Sequence, residues 1–132
     1  MDSIIGGCLC GSVRYRSAGS PGRSTLCHCS SCRRASGSHA LGLVTVTMKG
    51  FQFTAQAPAE YRSSELVLRT FCATCGTPLT YRHEGWPTEI SLTIGSLDTP
   101  ADVPPTDHTW MSEAISWDKP ADGLTQYDTD RP

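Results

Sequence analysis

The chain has 132 residues, 38% of them hydrophobic, and a formal net charge of −2. That balance supplies no basic field to hold nucleic acid, and no stretch approaches the roughly 20 apolar residues a membrane helix needs. The length fits a single domain spanning residues 1–132, and the modest apolar fraction predicts a thin core in which metal staples matter.

The first residues, Met1 to Gly7, lack the positive start and apolar run of a secretory signal. Seven cysteines in such a chain are expected to stay reduced in the cytoplasm, where close thiol spacings point to metal or catalysis rather than disulfides. Gly6-Gly7-Cys8-Leu9-Cys10-Gly11 sets two thiols in glycine, which permits the positive backbone angles that aim amides at sulfur. An extended chain there would put Cys8 and Cys10 on one face. Residues 12–16 alternate polar and apolar as a short half-buried strand, and the Ser/Gly/Pro-rich residues 17–24 read as a loop.

Thr25 leads into Cys27-His28-Cys29-Ser30-Ser31-Cys32, three thiols spaced C-x-C-x-x-C. From Ser30 or Ser31 a short helical turn is predicted through Ser36, ended by Gly37. Residues 39–47 are β-rich and apolar, a buried strand; residues 48–50 turn the chain and residues 51–54 alternate again. Tyr61-Arg62 and residues 66–69 flank Ser63-Ser64-Glu65 as a hairpin. Its second strand runs straight into Phe71-Cys72-Ala73-Thr74-Cys75-Gly76.

Taken alone, Cys72-x-x-Cys75 fits a thioredoxin-like redox pair, but that pair must open a helix. Here a strand precedes it and another, Leu79-Thr80-Tyr81-Arg82, follows. Residues 83–87 form a turn, 89–94 a strand closed by 95–98, and 100–105 a rigid proline loop. Asp107 to Trp110 and Ile115 to Trp117 are expected as short strands near a sheet edge. Residues 118–132 are expected to wrap the surface, anchored by Leu124 and Tyr127. No helical period is sustained, so the fold class is mostly β, built of short antiparallel strands with zinc knuckles.

The cysteine spacings are too tight for a disulfide framework and suit zinc, which thiolates bind tetrahedrally. Seven thiols divide into four, which close a structural site, and three, which leave a second ion one ligand short. Spacing alone leaves the partition open, because Cys29 and Cys32 with Cys72 and Cys75 would make an equally good zinc ribbon.

Taken together, the motifs resemble the glutathione-dependent formaldehyde-activating enzyme family, which also contains centromere protein V and has a fold similar to the Mss4-like β-fold. The resemblance rests on Gly7-Cys8-Leu9-Cys10-Gly11-Ser12-Val13, Cys27-His28-Cys29-Ser30-Ser31-Cys32-Arg33 and Gly37-Ser38. It extends over Phe71-Cys72-Ala73-Thr74-Cys75-Gly76-Thr77 and the late His108, Trp117 and Asp122-Gly123-Leu124. It implies that Cys8, Cys10, Cys72 and Cys75 hold a structural zinc, and that Cys27, Cys29 and Cys32 hold a second, open and catalytic one. It also implies S-(hydroxymethyl)glutathione formation, the work of a carbon–sulfur lyase, with glutathione or a similar thiol and an aldehyde as partners.

A zinc with three thiolates carries one net negative charge and is a weak Lewis acid, better matched to a substrate thiol than to hydroxide. The expectation is that the held thiolate adds to an aldehyde or leaves it. Arg33 and Arg34 are candidates for the carboxylates of glutathione, and His28 for a donor to thiolate or substrate. His39 as a fourth ligand would close the site. His108 and Trp110 are candidates for pocket walls and Trp117 for packing. The rival readings are a zinc-stapled binding module without catalysis, and a thiol redox or metal-handling protein that forms a Cys29–Cys32 disulfide.

Overall fold

The computed structural model describes residues 3–132. The strands begin with β1 (Ser3–Gly7), β2 (Arg14–Ala18), β3 (Ser24–Cys27), β4 (Leu41–Thr47), β5 (Phe51–Phe53) and β6 (Ala59–Ser64). They continue with β7 (Val67–Phe71), β8 (Pro78–His83), β9 (Glu89–Thr93), β10 (Asp107–Thr109) and β11 (Thr125–Gln126). One α-helix among the described residues, α1, spans Ser30–Ser36. Among the described residues no helix is long and apolar enough to cross a membrane.

The strands make a three-stranded sheet, β1-β2-β5, and an eight-stranded sheet ordered β11-β10-β3-β4-β9-β8-β7-β6. The period of two along β4 shows what the large sheet separates. Val44 and Val46 point into the main core, and Leu41 and Leu43 point to the opposite face. That core joins Ile4 and Tyr15 of the small sheet to Val44, Ile90 and Leu92 of the large one. Each such aliphatic side chain, fully buried, contributes about 1.5–3 kcal/mol. Leu43 on the other face joins Cys27 and Cys32, with Tyr81 and Trp110 packed against them.

Helix α1 follows its sequence signals. Cys29 is the N-cap, its sulfur accepting the Cys32 N–H, and Gly37 closes the helix at φ 72°. That angle is left-handed, where glycine has no Cβ to clash. Arg33 and Arg34 sit in the last turn, where positive charge complements the helix dipole.

Several expectations are corrected. The turn at residues 8–12 is not extended, since the Gly11 N–H returns to the Cys8 carbonyl at 3.1 Å. Strand β10 runs parallel to both β3 and β11, so the sheet is mixed rather than wholly antiparallel. Ile115 to Trp117 form no strand, and Trp117 is 67% exposed rather than packed in a core. The reason is that β11 already fills the free edge of β10. Strands β1 and β11 had no clear signal, being too short or too glycine-rich to alternate. Residues 127–129 do wrap back, accepting the N–H groups of Trp110, Met111 and Ser112 through their carbonyls.

Gly6, on β1, forms an isolated bridge to Leu97, in the segment that follows β9. A Cβ there would lie 2.4 Å from the Tyr15 hydroxyl and 2.5 Å from the Ser96 carbonyl oxygen. Gly6→Ala is therefore expected to destabilise the fold by about 3 kcal/mol, the upper range for overpacking. Thermal melting followed by circular dichroism checks this; a midpoint lowered by roughly 10 °C is the expected size.

Candidate metal centres

The structure brings Cys8, Cys10, Cys72 and Cys75 together, their four sulfurs all within 4.8 Å of one another. Cys8 follows β1 and Cys72 follows β7, so two chain reversals face each other. In the first, the Val13 N–H donates to Cys8 Sγ at 3.3 Å. In the second, the N–H groups of Thr74 and Cys75 donate to Cys72 Sγ at 3.3 and 3.4 Å, and Gly76 turns the chain at φ 82°. The Leu9 N–H ties the reversals together by donating to Thr77 Oγ1 at 3.0 Å. No helix opens at Cys72, so the thioredoxin-like arrangement is absent there.

The amide and hydroxyl donors favour thiolate. Burial pushes the Cys8 thiol up, but the Val13 N–H and Ser12 hydroxyl reverse this and bring it to about 7. The Thr77 hydroxyl and backbone bring Cys75 down to about 5. Four soft donors within 4.8 Å of one another, with Cys8 and Cys75 drawn toward ionisation, fit a thiophilic ion.

The second group is Cys27, Cys29 and Cys32, again with all sulfurs within 4.8 Å of one another. Cys27 ends β3, Cys29 caps α1 and Cys32 lies one helical turn on, so a strand-to-helix junction presents all three. Cys27 and Cys29 Sγ are 3.5 Å apart. The hydrogen bonds of Cys27 and Cys32 pull Cys29 down, while its bond to Cys29 pushes Cys27 up. Thiols this close cannot all ionise by themselves; a cation that replaces their protons lets them do so. That donor set fits a soft metal, with Cys27, Cys29 and Cys32 holding it.

Among the described residues no fourth protein ligand atom joins this trio. His39 is turned elsewhere. It is 57% exposed and its Nδ1 lies 2.7 Å from Asp118 Oδ2, so it does not close the site. A cleft of about 380 Å³ opens on the three sulfurs, walled by Tyr81, Trp86 and Trp110 and reached by Arg23 and Arg69. Trp110 holds a left-handed backbone, φ 58° and ψ 39°, which a bulky residue adopts only when its neighbours over-determine it. Here the Thr129 carbonyl takes its N–H, and its own carbonyl takes the N–H of Glu113. The Glu113 carboxylate accepts the Ser30 N–H at 2.8 Å, pinning the first turn of α1.

The other candidates fall differently from expectation. Trp110 does wall the cleft, but Arg33 and Arg34 do not line it; the cations there are Arg23 and Arg69. Nothing in the loop around Arg23 marked it. Arg69 carried a weak signal, as a cation on the strand that leads into Cys72. His28 points away from the trio. It is buried, with Nε2 2.9 Å from His108 Nδ1, and His108 Nε2 lies 2.8 Å from Asp122 Oδ2. Asp118 Oδ2 stands 3.3 Å from His28 Nδ1. His28 and His108 thus hold the C-terminal segment against β3, behind the cleft rather than in it.

A family model described as "Glutathione-dependent formaldehyde-activating enzyme" matches residues 3–113. Among solved structures, the crystal structure of a Rhodobacter sphaeroides protein is similar in fold, with a TM-score of 0.62 at 20% identity. The likeness covers 93% of this chain and 98% of that one. No curated protein matches the chain.

Proposed function

The chain belongs to the glutathione-dependent formaldehyde-activating enzyme family, and from that membership we propose a zinc-dependent carbon–sulfur lyase that joins a thiol such as glutathione to an aldehyde, or separates them. The observation that carries this reading is the open trio: three sulfurs with no fourth ligand atom among the described residues, facing a cleft of about 380 Å³. Cleft volumes of this order accept small organic ligands. In this reading residues 1–132 form one domain, cytoplasmic, with zinc at both cysteine groups. Cys8, Cys10, Cys72 and Cys75 serve the fold, and Cys27, Cys29 and Cys32 serve the reaction.

When bound at the trio, zinc supplies a positive centre that takes up a thiol and favours its ionised form. The protein does the rest by placement. Tyr81, Trp86 and Trp110 give the cleft aromatic walls that exclude water from an aldehyde adduct. Glu113 fixes α1 at its first turn and so fixes the spacing of Cys29 and Cys32. Arg23, paired with Asp130 at the cleft, supplies a guanidinium for a substrate carboxylate, the role that Arg33 and Arg34 are not placed to fill.

Zinc-edge X-ray absorption tests the reading directly. The zinc-loaded protein is expected to show an added sulfur neighbour when glutathione is supplied, and to speed exchange between free formaldehyde and its glutathione adduct by NMR. A zinc environment unchanged at saturating glutathione overturns it.

A further inference from the structure

Arg69 lies on β7, across the cleft from α1, and its guanidinium is held on three sides. Nε donates to Ser63 Oγ at 3.1 Å, and the guanidinium carbon stands over the Tyr81 ring, 5.0 Å from its centroid. Nη1 and Nη2 each lie 3.8 Å from Cys32 Sγ. The other arginines with ionic partners face carboxylates: Arg14 with Asp98, Arg23 with Asp130, Arg62 with Glu84 and Arg131 with Asp107. Among the described residues Arg69 has no such partner. What its Nη atoms face is the Cys32 sulfur.

We propose that Arg69 is a positioning residue that sets the charge of the ligand admitted to the open trio, favouring an anion over a neutral molecule. The proposal rests on the reading that the trio holds a divalent metal with a free fourth position. Three thiolates and a divalent ion sum to one negative charge, which repels an incoming anion. A guanidinium fixed against one of those thiolates offsets that charge. By donating toward Cys32 Sγ it also draws electron density from the sulfur, so the metal is less satisfied and holds an anionic ligand more tightly. The stacking on Tyr81 and the bond to Ser63 give the guanidinium one orientation, so the offset falls on Cys32 instead of being spread through solvent. A substrate thiol arriving as thiolate is such an anion.

The test uses the intact protein loaded with cobalt(II), whose visible absorption reports ligand binding at the open position while the closed four-cysteine site has no position to give. Azide serves as the anionic probe and imidazole as the neutral one. Arg69→Met is expected to weaken azide binding about ten- to hundredfold, the range of a charge-assisted hydrogen bond, and to leave imidazole binding unchanged. Arg69→Lys is expected to recover most of the azide affinity. The thiolate-to-cobalt charge-transfer band is expected to shift in Arg69→Met without any ligand. Should Arg69→Met fail to fold, Arg69→Gln, neutral but still able to donate, carries the same comparison.

Equal weakening of azide and imidazole overturns the proposal, since that is the mark of a collapsed cleft. Unchanged azide affinity overturns it too. In both cases ligand binding by the unsubstituted protein leaves the open metal site standing. A cobalt-loaded wild-type chain that responds to neither probe removes the open position itself, and this inference with it.

Discussion

Cys72→Ser is expected to leave the chain without a cooperative fold at room temperature. Cys72 is 1% exposed, its sulfur takes two backbone N–H groups, and it meets Cys10 Sγ at 3.8 Å across 62 residues of sequence. In the proposed zinc-bound state that contact closes a long loop and replaces hydrophobic mass the sheets do not have. Zinc binding to a closed thiolate site contributes an apparent 10–16 kcal/mol or so, against a net stability for domains of about 5–15 kcal/mol. Losing one ligand of four removes most of that margin. Near-ultraviolet circular dichroism and a thermal melt decide it: a sharp transition within a few degrees of wild type would mean that packing alone holds the fold.

The second large effect is expected at the trio, with the opposite balance between activity and stability. Cys29→Ser keeps an N-cap oxygen at a position that serine favours, so α1 should persist. What disappears is the thiolate. One of two zinc ions is expected to be lost, and turnover of the thiol–aldehyde adduct to fall about a thousandfold or more, the several kcal/mol a metal supplies at 1.36 kcal/mol per decade. Cys27→Ser should show the same loss of activity. Metal analysis beside a melting curve separates the two centres; if both trio variants merely unfold, the division into a structural and a reactive site fails.

The parts of the molecule legible in the sequence are those governed by local rules. Ser30 to Gly37 announced α1 through a cap at one end and a left-handed glycine at the other, and both occur. Strands β7 and β8 were legible on either side of Cys72 and Cys75, β7 as the second half of a hairpin, and β9 through its alternation. Strand β10 was expected as a short strand near a sheet edge, but its parallel pairing with β3 was not legible, because direction is decided by the crossover through residues 95–106. Spacing grouped the cysteines without partitioning them. The partition came with the family resemblance, and the structure gathers the same four and the same three. The cleft walls were illegible for a plainer reason. Arg69, Tyr81 and Trp86 reach the trio from β7, from β8 and from the turn that follows, several strands away across the large sheet. No periodicity within one strand reports what stands opposite it.

The two cysteine groups also differ in how far apart their members lie along the chain, and this bears on assembly during translation. Cys27, Cys29 and Cys32 leave the ribosome together, while Cys8 and Cys10 must wait for Cys72 and Cys75. Until then five thiols compete for whatever ion arrives first, and a pairing of the early cysteines with the trio satisfies tetrahedral coordination as well as the mature arrangement does. From such an early site, reaching the final partition would take the exchange of two ligands, Cys72 and Cys75 replacing two thiols of the trio once the β7–β8 hairpin emerges.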